Sequence, residues 1–115
     1  MPDFERGDVV RVPFPYTDRS TRQRRPALVV SSGGVGEHGA LLWVVMITSA
    51  ENRPWPGDVT FGAAFEEAGL PAPSVVRAAK IATIEAGHAE KIGAAPRGIL
   101  TDVDRMVRAN LGFSN

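Results

Sequence analysis

The sequence predicts a mainly-β fold, a small barrel closed by one C-terminal helix. Two observations lead there. Short β-branched or apolar runs recur at roughly 8–15-residue spacing, separated by Gly- and Pro-bearing turns. A helical period emerges strongly only at the end of the chain. The 115 residues, 43% hydrophobic and 23% charged, have an ordinary globular composition and read as one domain, 1–115. A chain this long closes one core but not two.

The elements follow in order. Gly7 to Val12 opens a strand on Val9, Val10 and Val12, and Pro13 and Pro15 end it. Residues 16–24 are polar and turn-rich, an exposed loop. Ala27 to Ser31 is a second strand, followed by a glycine-rich turn from Ser32 to Gly39. Leu41 to Thr48 is apolar nearly throughout and suits a central strand covered on both faces, with Trp43 in the core. Residues 50–57 form a loop with Pro54 and Pro56, Asp58 to Phe61 a weak strand, and Glu66 to Pro73 an acidic loop. Ser74 to Arg77 and Lys80 to Ile84 are two more strands, with a kink or bulge at Ala78 and Ala79. Ile99, Leu100, Val103, Val107 and Leu111 form one stripe on a 3.6 period. Pro96 fits the first turn of that helix and Gly112 the residue after its end, with Thr101 as an alternative start.

Composition removes several function classes. There is no cysteine, hence no disulfide framework, zinc-thiolate site or cysteine nucleophile. The two histidines, His38 and His88, fall in expected loops as solvated residues, so no metal site is expected. The N-terminus lacks a basic-then-apolar leader, and the longest apolar run, Ala40 to Ile47, is too short to span a bilayer. A cytoplasmic protein with no membrane partner is the expectation. The formal net charge is zero, so a nucleic-acid site has to be local. Basic residues gather at the two ends, and all but Lys80 and Lys91 are arginine, the side chain suited to bidentate phosphate contacts. A solvated arginine-rich surface has the same composition.

Gly34-x-Gly36-x-x-Gly39 matches a dinucleotide-binding string, but a strand rather than a helix is expected after it, so it reads as a turn. The segment Arg22-Gln23-Arg24-Arg25-Pro26 is more informative. Arg25 lies where a polar loop enters a buried strand, and Pro26 stiffens that point, which pre-organises a guanidinium. Thr48 and Ser49 end the central strand with two hydroxyls. Arginine and hydroxyl at neighbouring strand ends make a phosphate cradle; hydrogen bonding of those hydroxyls within a turn is the plainer alternative.

Gly7-Asp8-Val9-Val10, Arg25-Pro26-Ala27-Leu28-Val29, Met46-Ile47-Thr48-Ser49, Ser74-Val75-Val76-Arg77 with Lys80-Ile81-x-Thr83-Ile84, and Leu111-Gly112-Phe113 together resemble the PemK/MazF toxins over nearly the whole chain. The resemblance implies an SH3-like, plasmid-maintenance-toxin barrel, a homodimer, metal-independent and sequence-specific cleavage of single-stranded RNA without a cofactor, and an antitoxin partner with a wrapping tail. It implies Arg25, Thr48 and Arg77 as catalytic residues, with Ser49 beside Thr48. Some PemK-like members carry an aspartate, proposed as the base, two residues after that last arginine; here the position is Ala79, and Lys80 stands where glutamine is common.

Cleavage by the RNA's own 2′-hydroxyl needs no cysteine, serine or metal, because the substrate supplies the nucleophile. Arg25 would hold the dianionic transition state, Thr48 a non-bridging oxygen and Arg77 the leaving oxygen. Asp18, Glu51 or water would take the 2′-proton. Arg22, Arg24 and Lys80 would line the RNA groove, and Trp55, between two prolines, would stack on a base or pack within the protein. A non-catalytic nucleic-acid-binding barrel is the rival that the missing aspartate suggests. A peptide-binding module is a third reading.

Overall fold

The computed structural model describes residues 3–13 and 24–113. Among these described residues, six strands form one antiparallel sheet: β1 Asp8–Pro13, β2 Arg24–Val29, β3 Leu41–Ser49, β4 Val59–Thr60, β5 Ser74–Glu85 and β6 Glu90–Ala94. Their order across the sheet is β4-β5-β3-β2-β1-β6. The sheet curls into a half-barrel, and helix α1, Arg97–Asn110, packs against β5 and β4. The mainly-β architecture with one C-terminal helix is the one expected from the sequence.

β3 has an apolar cluster on each side, as its unbroken hydrophobicity predicts. Leu42, Val44 and Met46 pack with Val10, Val12, Ala27, Val29 and Ile84. Val45 and Ile47 face the other way, onto Val9, Leu28, Phe61, Val76 and Val103. Strand alternation thus assigns the even residues of β3 and the odd residues of β2 to the first face.

Several details differ from expectation. The two predicted strands at 74–84 are one strand, β5. Its register on β3 jumps from Val45↔Ile81 to Met46↔Arg77, so residues 78–80 form the expected bulge without breaking the strand. β6 is absent from the sequence reading, because Glu-Lys-Ile-Gly-Ala has no strong β pattern; it forms by adding to the free edge of β1. Trp43 is not core: it is 48% exposed. It shares the Val45–Ile47 face, but the helix ends before covering it, and Leu111 and Phe113, 63% and 59% exposed, follow beside it. The last residue of the predicted helical stripe therefore leaves the core.

The helix starts after Pro96 rather than at Thr101. It ends in a Schellman arrangement: Phe113 N–H donates to Arg108 O (2.9 Å), Gly112 N–H donates to Ala109 O (3.1 Å), and Gly112 takes φ 89°. The Gly34–Gly39 segment is a turn closed by a bridge between Val35 and Leu41; it holds only a three-residue 3-10 turn, Glu37–Gly39, and runs into β3 rather than an α-helix.

Candidate active site

The β2–β3 ladder runs only from Ala27↔Met46 to Val29↔Val44. Beyond Ala27, β2 continues to Arg24 paired with β1 alone, while β3 continues to Ser49 paired with β5 alone. The two central strands therefore stop pairing at this end of the sheet. Arg25 stands on one side of the opening and Thr48 on the other. Both project to the Met46 face, and so does Arg77, whose backbone is opposite Met46 on β5. The register thus brings Arg25, Thr48 and Arg77 to one face, with Arg25 and Arg77 two strands, or about 10 Å of backbone, apart.

Arg25 is half-buried, and its Nε is the one buried side-chain nitrogen or oxygen among the described residues with no hydrogen-bond partner. A buried donor left unpaired is unfavourable, and an anionic acceptor would relieve it. Thr48 is also half-buried. The Asn52 side-chain amide donates to Thr48 Oγ1 (2.6 Å), which leaves the threonine's own O–H free to donate elsewhere. Asn52 was not singled out in the sequence; its signal was an Asn four residues past a strand-end Thr, within a turn closed by Asn52 N–H donating to Ser49 O.

Arg77 is held tightly. Its Nε donates to Asp58 Oδ1 (3.3 Å) and its Nη2 to Asp58 Oδ2 (3.2 Å) and to Arg53 O (2.8 Å). The two side chains of this pair are 9% and 10% exposed. The Trp55 ring lies over the Arg77 guanidinium, 4.3 Å from its carbon, and Lys80 Nζ is 5.8 Å from the ring centre. Asp58 escaped the sequence reading. Its signal was Trp55-Pro56-Gly57-Asp58, a type II turn with Gly57 at φ 87° and Asp58 N–H donating to Trp55 O (3.1 Å).

The other predicted residues are placed elsewhere. Ser49 alternates to the opposite face from Thr48, and its Oγ accepts the Glu51 N–H (3.2 Å), the turn bond anticipated as the alternative. Arg24 is next to Arg25 on β2 and points the other way, toward the carbonyl of His88 and the Glu90 carboxylate at 3.9 Å. Ala79 is exposed in the β5 bulge. His38 and His88 are exposed. Arg22 and Asp18 lie outside the described residues. Among the described residues, no three His, Asp or Glu side chains gather as metal ligands, and no helix is long and apolar enough to cross a membrane.

Residues 5–111 match the PemK-like, MazF-like toxin of type II toxin-antitoxin systems. Among solved structures, MazE-MazF (Form-II) from Deinococcus radiodurans is 27% identical, with a TM-score of 0.77 over 99% of this chain and 100% of that one. An endoribonuclease in complex with its cognate antitoxin from Mycobacterial species is 22% identical, with a TM-score of 0.73 over 96% and 97% of the two chains. The Mycobacterium tuberculosis toxin MazF-mt6 is 18% identical, with a TM-score of 0.68 over 94% and 99%. No curated protein sequence gives a significant match.

Proposed function

This chain belongs to the PemK-like, MazF-like toxin family of type II toxin–antitoxin systems, and from that premise we propose that it is a metal-independent, sequence-specific endoribonuclease acting on single-stranded RNA in the cytoplasm. The observation that carries the reading is the unpaired, buried Nε of Arg25 across the sheet opening from Thr48. A phosphodiester in that opening supplies the missing acceptor.

In the reaction, the substrate's 2′-oxygen attacks the adjacent phosphorus, its proton leaves, the bond from phosphorus to the 5′-oxygen breaks, and the leaving 5′-oxygen takes a proton from water. The products are a 2′,3′-cyclic phosphate and a 5′-hydroxyl. Arg25 binds the equatorial oxygens, where charge grows in the transition state. Thr48, with its oxygen occupied by Asn52, donates its O–H to a non-bridging oxygen. Glu51, in the turn just past Thr48, or water takes the 2′-proton.

The partners follow from the same reading. A cognate antitoxin would compete with RNA for Arg25, with carboxylates opposite the arginine and apolar anchors beside it. The exposed cluster of Trp43, Leu111 and Phe113 supports a C₂ homodimer, since neighbouring apolar side chains of this size seldom face water. A second reading, a barrel that binds RNA without cutting it, is favoured by Ala79, the position where some PemK-like members carry an aspartate. Purified protein incubated with single-stranded RNA and EDTA separates the two. New 5′-hydroxyl and cyclic phosphate ends are expected. Cleavage abolished by the chelator and restored by magnesium would remove the self-cleavage mechanism, and intact RNA at all conditions would leave the binding module.

A further inference from the structure

Granting that RNA-directed reading, we propose that Arg77 does not contact the leaving oxygen but is a positioning residue: pinned by Asp58, it fixes Trp55 as a stacking platform for an unpaired base beside the scissile phosphate. Arg77 and Asp58 form a fork-to-fork pair that engages both carboxylate oxygens, Nε and Nη2. The pair is almost fully buried, so a guanidinium turning toward a phosphate would abandon a buried carboxylate. An anion drawn to Arg77 in place would meet the charge of Asp58 as well. The pair is thus a poor phosphate site, in contrast to the unpaired Nε of Arg25.

What the pair does hold is the loop between β3 and β4. Asp58 Oδ2 accepts the Trp55 N–H (2.9 Å), Arg77 Nη2 donates to Arg53 O, and the guanidinium lies against the indole. Pro54 and Pro56 fix the backbone φ on either side of Trp55. One ion pair therefore ties the loop at three points around a single aromatic ring. That ring is half-buried and lies against the guanidinium of Arg77, whose strand position faces the side of the sheet that carries Arg25 and Thr48. A pre-oriented indole stacks on a base without first losing its own freedom, and the geometry suits an extruded single-stranded base.

The experiment uses a Trp43→Phe background, so that fluorescence reports Trp55 alone. Two quantities are measured: binding to a pool of short 2′-O-methylated single-stranded RNA, which cannot self-cleave, and the single-turnover rate on unmodified RNA at saturation. Trp55→Ala is expected to weaken binding about tenfold, with Trp55→Phe retaining most of the affinity. Arg77→Gln and Asp58→Asn are each expected to shift Trp55 emission to the red without RNA and to weaken binding about as much as Trp55→Ala, with the double variant no worse than either. The saturated single-turnover rate should change by less than about threefold in all of them. Arg77→Lys, which keeps the charge, serves if Arg77→Gln does not fold. A loss of about 10²-fold in the saturated rate for the Arg77 variants, with Trp55 emission and binding unchanged, would return Arg77 to the leaving oxygen and overturn the proposal. Unchanged emission and binding in Asp58→Asn would also overturn it. If the parent protein cuts no RNA, the endoribonuclease reading falls while the binding arm still decides the role of Trp55; if it binds none, both fall.

Discussion

Arg25 and Arg24 are neighbours in the chain and opposites in the structure. The two-residue period of β2 sends one guanidinium into the opening of the sheet and the other across β1 to His88 and Glu90. Arg25→Ala is expected to lower the single-turnover rate by roughly 10²–10³, as loss of a transition-state donor does, while the circular dichroism and melting curve stay near the parent's. Arg25→Lys should rescue poorly, because an ammonium lacks the planar fork. Near-parental cleavage by the alanine variant would make Arg25 structural. Asn52 is tested through Thr48. Asn52→Ala should slow cleavage by about three- to tenfold in the parent and have no further effect in a Thr48→Val background, since the two side chains act through one hydroxyl. Independent, multiplying losses in that cycle would separate them.

At the scale of the element, β5 carries the most information. Its bulge at 78–80 lets one strand serve both halves of β3 while Arg77 remains opposite Met46. The pair of Arg77 with Asp58 joins β5 to the turn before β4, a strand of only two residues. Asp58→Ala leaves a buried guanidinium without its counter-charge and should destabilise the fold by about 3–5 kcal/mol in urea unfolding. A loss near 0.5 kcal/mol, the range of an exposed pair, would show that water reaches this one. The helix end gives a smaller effect. Gly112→Ala at φ 89° should lower stability by about 1 kcal/mol through strain in the Schellman turn.

At the scale of the whole molecule, the exposed apolar cluster at the helix end is the feature least suited to a monomer. Trp43→Ser with Phe113→Ser should convert a dimer at micromolar concentration to a monomer in light scattering, with the β-sheet spectrum preserved. A parent protein that is already monomeric there would remove the dimer, and with it the assignment of this face. An antitoxin tail that competes for Arg25 should bind more weakly as salt rises, because that guanidinium is only half-buried. Tight binding that leaves RNA cleavage untouched would place the antitoxin on another surface.

The sequence by itself determined the class of fold, the strands β1 to β5 in order (six expected segments, the last two joined as β5), the two-sided burial of β3 and the end of the helix at Gly112, and it put forward Arg25 and Thr48 as the chemistry to test. Each rests on local pattern: β-branched runs, an unbroken apolar strand, a glycine where φ is positive, an Arg-Pro at a strand start. Tertiary structure alone decided the rest. β6 exists because β1 had a free edge, not because Glu-Lys-Ile-Gly-Ala favours a strand. Trp43 is exposed because the helix stops short of it, which no periodicity within Leu41–Thr48 encodes. Arg77 lies against Asp58, 19 residues earlier, because β4 adds to the far edge of β5. A guanidinium's partner depends on which strand comes to lie alongside, and that choice is made by the packing of the whole sheet rather than by the residues next to it in the chain.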